Sequence, residues 1–277
     1  MRPAYRSRTV TDDNDATSRY RAPALEKGLD IIELLASSAS GMSLTAIAST
    51  LGRSMGEIYR IALALEARGY IRRDQDSDQY ALTLKLFELS HENPPTNRLL
   101  SVALPLMEKL AADAQQSCHL AVLSGARVLI VAQVDAPRPM HYAVRLGAQF
   151  PLAETSSGAV LFAYQPDHHR QALLDASIAS FPELAETLPE RAEKVLSEGG
   201  ERRESLVVSG VTNLSQPVFD HRGVIAACLT IPFLAQKGLA VDIDAAERAV
   251  IATAAGISAA LGWRDPRQTT DNEGEAA

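Results

Sequence analysis

Cysteine is nearly absent. Cys118 and Cys228 are the only two in 277 residues, and both lie in apolar, β-prone runs, CHLAVL and AACLTI. That usage argues against a disulfide scaffold or a thiolate metal cluster and marks both as buried free thiols. Long apolar runs are missing as well: no stretch approaches the roughly 18 residues that a membrane-crossing helix needs. Residues 1–22 are polar and mixed in charge where a secretory leader would be continuously apolar. The expectation is a soluble, cytoplasmic protein with no membrane partner. No HExxH pair, GxGxxG fingerprint, phosphate-cradling glycine loop or GxSxG elbow occurs, and the histidines are scattered. No catalytic residue, metal ligand or cofactor is therefore assigned. Ser156, Ser157 and the histidines keep a hydrolase as an alternative.

Positive charge is also in deficit, with a formal net charge of −7, which on its face disfavours a polyanionic partner. Its distribution reverses that reading. Between residues 51 and 73, Arg53, Arg60, Arg68, Arg72 and Arg73 face only Glu57 and Glu66, a local excess of three positive charges. Phosphate contact depends on the charges that meet the duplex and not on the sum over the chain.

What is present divides the chain in two. Residues 1–21 and 264–277 are rich in polar and charged residues and read as a disordered arm and tail. In PALEKGLDIIELLAS, Leu25, Leu29, Ile32 and Leu35 recur every three or four residues and predict an amphipathic helix. A short second helix follows, capped by Ser43 and carrying Leu44, Ile47, Ala48 and Leu51, before Gly52 breaks the pattern. Ser54 with Glu57 three residues on has the form of a capping box opening a third helix, whose buried side is Ile58, Ile61, Ala62 and Leu65. Gly69 ends it, and YIRRD and QYALT flank a polar turn as a two-stranded wing. Helix, helix, turn, helix and hairpin describe a winged helix-turn-helix over 22–90.

Residues 91–116 read as a hinge at Pro94-Pro95 followed by a linker helix, kinked at Pro105 or beginning near it, that packs on its own domain or on a second chain. From 117 to 263 the pattern turns to β. CHLAVL, RVLIVAQV and MHYAVR read as strands, PLAETSSGAVLFAY as a strand end, a polar loop and a helix start, and NLSQPVFD with VIAACLTIP as a hairpin around His221-Arg222-Gly223. A helix over Pro189–Glu198 and another from about Asp244 to Leu261 complete the pattern. The expected class is α+β: the winged domain followed by an α/β domain on a mainly antiparallel, curved sheet.

In that order, ALEKGLDIIELLA, MSLTAIASTLG, EIYRIALALEARGYIRRD and YALTLKLFEL, then RLGAQFPLAETSSGAVLFA, GVTNLSQPVFDHRGVIAACLTIP and the helix before LGW, resemble the IclR-type family of bacterial transcriptional regulators over about residues 22–263. The resemblance implies a homodimer or dimer of dimers on a palindromic double-stranded DNA operator, with a curved, roughly six-stranded effector-binding domain. Its ligands would be small organic or aromatic acids. Aligned on the family motif, the implied effector pocket includes Gly158 and Ala159, Val211 and Asn213 after Gly210, and Thr230.

The residues themselves suggest where each chemistry sits. Met55, Gly56, Glu57, Tyr59 and Arg60 open the recognition helix and are the DNA-facing candidates. Arg60 fits a guanine fork or a phosphate, with an ion pair to Glu57 or Glu66 as the competing use. Glu57 can accept from cytosine N4 or cap its helix. Many relatives resemble a Ser-Thr pair where this chain has Gly56-Glu57, which removes two hydroxyl contacts and suggests an atypical operator. Arg72 and Arg73 are phosphate or minor-groove candidates and Arg53 is a phosphate candidate, with solvated surface charges as the alternative. In the 154–159 block, Ser157 and its neighbours combine hydroxyls with first-turn amides suited to a carboxylate; the competing reading is ordinary capping and packing. Arg145, Arg202 and Arg203 are secondary carboxylate candidates. A ligand sensor without sequence-specific DNA binding is the second alternative.

Overall fold

A computed structural model describes residues 22–264 except 39, 93 and 239. The arm and tail expected at 1–21 and 265–277 lie outside the described residues. Two compact units divide at Asn93/Pro94.

The first unit opens with α1 (Pro23–Ser37), α2 (Leu44–Leu51) and α3 (Met55–Ala67). The Ser43 hydroxyl accepts the Ala46 amide at 3.2 Å and caps α2, while Gly52 takes the left-handed conformation, φ +61°, that lets the chain turn into α3. The wing is an antiparallel pair, β1 (Ile71–Arg73) and β2 (Tyr80–Leu82), and α4 (Lys85–Glu92) follows. Ile31, Leu35, Ile47, Ala48, Ile58, Ala62, Ile71 and Tyr80 form one buried cluster. The stripe expected on α1 is shifted by part of a turn. Leu25 and Leu29 are exposed, and Gly28, Ile31 and Leu35 face inward, because α1 contains apolar residues on more of its circumference than α2, α3 and β2 cover.

The second unit is built on a six-stranded sheet in the order β5-β4-β3-β8-β7-β6, every neighbouring pair antiparallel. The strands are β3 (Cys118–Ser124), β4 (Arg127–Val134), β5 (Gln149–Pro151), β6 (Glu201–Glu204), β7 (Val211–Phe219) and β8 (Ile225–Leu234). One face packs on α5 (Pro94–Ala114) and α10 (Ile243–Ala260). Leu99, Ala103, Met107 and Leu110 meet Leu120, Leu214, Leu229, Ile231 and Val250 there. The other face packs on α6 (Ser156–Ala163), α7 (Asp167–Ser180), α8 (Pro182–Ala185) and α9 (Leu188–Glu198). The alternation of strand side chains produces both cores from the same strands.

Two expectations change at this level, and the prolines at the division between the units gain a position in a helix. Pro94 and Pro95 form the first turn of α5, where a missing amide costs nothing. Pro105 lies within an uninterrupted α5, whose buried residues on both sides of it hold the helix to its own sheet. MHYAVR is not a strand: β4 pairs instead with Gln149–Pro151, and the Gly147 amide bonds to the Ile130 carbonyl at 2.9 Å. Residues 137–146 thus cross over the sheet without joining it and bring Tyr142 and Val144 to a cavity.

Candidate functional site

In the first unit the segment from Arg53 to Arg60 forms an exposed surface. Arg53, Met55, Gly56, Tyr59, Arg60, Arg72 and Arg73 are all exposed, and two of them, Met55 and Tyr59, are large apolar side chains about half accessible at 46% and 49%. Ile58 and Ala62, on the opposite side of α3, are fully buried and set the helix's rotation. Arg60 makes neither of the ion pairs considered for it. Its Nε donates to the Gly56 carbonyl one turn back, at 3.2 Å, so its charge is not cancelled by Glu57 or Glu66.

Glu57 is only half-buried and is occupied. One carboxylate oxygen accepts from the Lys27 ammonium of α1 at 2.6 Å, and the other from the Ser54 hydroxyl at 3.0 Å and backbone amide at 3.4 Å. These bonds, the Lys27 one foremost, hold its carboxyl down at about 2. Reading a cytosine would require giving up that arrangement, so the capping use prevails in the free protein. Arg73 pairs with Asp78 across the wing turn, and Arg53 lies 3.6 Å from Asp30. Arg72, exposed on β1, faces Ala81 across the strand pair.

In the second unit a cavity of about 50 Å³ opens beside the start of α6. Two members of a polar row that runs across the sheet, His119 and Thr230, line it. His119 of β3 is directly opposite Thr230 of β8, which is directly opposite Ser215 of β7. The Thr230 hydroxyl lies 2.8 Å from that of Ser215 and 2.9 Å from that of Ser157 on α6; the Ser157 hydroxyl lies 3.5 Å from His119 Nε2. All four residues are buried, so these bonds compensate for their desolvation. His119 Nδ1 has no partner. Burial holds the imidazole down at about 4, and thus neutral at pH 7. Asn213, whose side-chain amide reaches the Ser156 hydroxyl at 3.5 Å, Glu154, Thr155 and Ser205 add polar edges, against apolar walls from Val128, Ile130, Val144 and Phe150.

Of the effector candidates, Ser157, Asn213 and Thr230 line this cavity; Gly158, Ala159 and Val211 do not. Their roles are different. The Gly158 amide is already taken by the Thr155 hydroxyl at 2.9 Å, and a Cβ on Gly158 would stand 1.9 Å from the Leu152 carbonyl oxygen. Gly158 therefore admits the 3-10 turn Leu152–Glu154 against α6. Ala159 and Val211 are core residues. Arg202 is tied to Asp244 and Glu247 of α10, and neither it, Arg203 nor Arg145 reaches the cavity.

His119 and Ser215 escaped sequence reasoning, as did Arg191. The Arg191 guanidinium, from α9, is buried with Glu201 of β6 in a two-bond pair at 2.8 Å, and donates also to the carbonyls of Ala153 at 2.8 Å and Thr155 at 3.0 Å. It clamps the turn that carries Glu154 and the cap of α6. The signal was faint: an arginine flanked by glutamates on a helix reads as a solvated face. Cys118 and Cys228 are buried free thiols, each pushed up to about 12 by burial. Among the described residues there is no cluster of three metal-ligating side chains, and no helix is long and apolar enough to cross a membrane.

Family comparisons agree with this geometry in both units. Residues 24–75 match the IclR helix-turn-helix domain, and residues 96–259 match the bacterial transcriptional regulator IclR C-terminal domain. The glycerol operon regulatory protein of Streptomyces coelicolor is 31% identical over 203 residues, covering 72% of this chain and 80% of that protein. The structure of Pseudomonas aeruginosa HmgR superposes with a TM-score of 0.68 at 26% identity, over 87% of this chain and all of that one. An IclR homolog from Microbacterium hydrocarbonoxydans complexed with 4-hydroxybenzoate shares the fold, with a TM-score of 0.70 at 20% identity over 86% of this chain and 98% of that one. With both domain models matched along most of its length, the chain belongs to the IclR family and is a ligand-responsive helix-turn-helix transcriptional regulator.

Proposed function

We propose that the protein binds a palindromic operator as a homodimer or dimer of dimers and that a small organic acid in the α6 cavity changes this binding. Met55, Gly56, Tyr59 and Arg60 at the start of α3 face base edges in the major groove; Arg53, Arg72 and Arg73 hold phosphates or the minor groove. Glu57 positions the helix start and makes no base contact. The exposed arginine-bearing surface of α3, uncancelled by the acids beside it, is the observation that carries the DNA reading.

The acid's carboxylate meets the first-turn amides of Ser156 and Ser157 and the hydroxyls of Ser157 and Thr230, with Asn213 at the rim; its carbon body lies on Val128, Ile130, Val144 and Phe150. At about 50 Å³ the cavity is roughly a third of one that accepts benzene. A short-chain acid fits as it stands, and an aromatic acid requires residues 137–146 to move outward.

The test is selection of duplexes from a random pool by the full-length protein, followed by titration of organic acids. The expected product is an inverted repeat with half-sites about one helical turn apart, and an affinity that an acid shifts. Ligand binding without any preferred duplex would leave only a sensor.

A further inference from the structure

We propose that the ligand's carboxylate is neutralised by a proton taken up at His119 as the acid enters, so that acid binding and His119 protonation are one coupled event. The inference rests on the acid-effector reading above. Its starting point is a mismatch of charge. Among the described residues lining the cavity there is no lysine or arginine, while Glu154 contributes a carboxyl group of its own. Hydroxyls and helix amides donate hydrogen bonds but carry no full charge, and an unpaired carboxylate is costly to bury.

His119 is the cavity group able to supply the missing charge. It is 7% exposed, belongs to the polar row, and has an Nδ1 with no partner while Nε2 faces Ser157. A protonated imidazole donates from both nitrogens, so the orphaned position gains a bond when an acceptor arrives. The proton comes from solvent and bonds to a ring nitrogen; the acid remains a carboxylate, and the buried pair is neutral overall.

Every element around His119 is compatible with this role. The segment 137–146 contributes Tyr142, whose phenol burial pushes upward, and the 3-10 turn contributes Glu154. From β8, the Cys228 sulfur lies 3.7 Å from Thr230 Oγ1 and its thiol is held protonated by burial. The faces of α6, β4 and β7 that line the cavity carry no ionisable side chain. Behind the turn, the Arg191 guanidinium spends four of its five N–H donors on Glu201 and two carbonyls, its charge is matched by Glu201, and it does not line the cavity. In the empty cavity desolvation keeps His119 neutral; an anion beside it favours the protonated form.

Calorimetric titration of the full chain with acetate, propionate, lactate and benzoate, each paired with its uncharged amide, tests the coupling between about pH 6 and 8. The expected result is an acid affinity that falls about tenfold per pH unit, with about one proton taken up per site when buffers of different ionisation enthalpy are compared. The amides should bind without pH dependence. In His119→Gln, checked for an unchanged fold by its melting profile, the acids should lose both the slope and the proton uptake. Acid binding with no slope in the parent overturns the inference and leaves the acid reading intact. A slope retained in His119→Gln would place the proton on the acid and also overturn it. Binding by amides alone, or by none of the acids, removes the acid-effector reading and this inference together.

Discussion

Replacing Arg191 with methionine isolates the clamp behind the cavity. The side chain is 6% exposed and its partner Glu201 8%, and one guanidinium serves both carboxylate oxygens and the carbonyls of Ala153 and Thr155. Methionine fills much of the volume but leaves a buried carboxylate without a counter-charge and two carbonyls without their donor. Breaking one side of a buried pair costs about 3–5 kcal/mol. In a unit of this size each kcal/mol lowers the melting temperature by roughly 2–4 °C. The expected shift is therefore about 6–20 °C in the transition of the second unit, read by calorimetry, with the transition of the first unit unchanged.

Arg191→Met combined with Glu201→Leu removes the stranded charge as well. It should recover about half of the loss, keeping about 1–3 kcal/mol for the carbonyls that still lack a donor. Acid binding should weaken in both variants, because the turn holding Glu154 and the Thr155 cap is no longer tied down. A single variant within 1 kcal/mol of the parent, or a double variant no more stable than the single, would refute the claim that charge compensation governs this site.

Arg60→Ala should weaken operator binding by about 1–3 kcal/mol if the guanidinium grips a guanine; a phosphate contact would lower affinity for operator and random duplex alike, and anisotropy titrations on both separate the two. Gly158→Ala should destabilise the second unit by about 1–3 kcal/mol or more, since the added Cβ meets a backbone oxygen that cannot swing away; an unchanged denaturant midpoint would contradict that packing. His119 makes the fold itself pH-sensitive. Its folded value lies below its unfolded one, so the unfolded chain binds more protons and stability falls as pH drops from 6.5 towards about 4. His119→Gln should flatten that part of the stability curve. Glu57 works in the opposite window: its contribution is present above about pH 4.5 and is lost as pH falls towards 2, a dependence that Glu57→Gln should abolish with operator affinity unchanged.

Local signals were enough for much of this chain. Ser43, Gly52 and the Ser54–Glu57 pair set the boundaries of α2 and α3 through bonds that span three or four residues, and the helix-turn-helix-wing order follows from them. The β7–β8 hairpin and α10 were equally legible, since a polar turn between apolar strands and a small-residue helix are written in consecutive residues. Of the residues lining the cavity, Ser157 followed from hydroxyls beside a helix start, and Asn213 and Thr230 from the order of motifs.

Tertiary structure decided the rest, because those features depend on register and rotation. Leu25 and Leu29 have the period of a buried stripe, yet only the placement of α2, α3 and β2 determines which arc of α1 is covered. MHYAVR has strand composition, but β4 has one free edge and Gln149–Pro151 takes it. The polar row joins residues 119, 215 and 230, whose only link is that three antiparallel strands bring them side by side. Periodicity identifies which residues can be buried; pairing across strands and helices selects the neighbours they are buried with, and the chemistry of this cavity is a property of those neighbours.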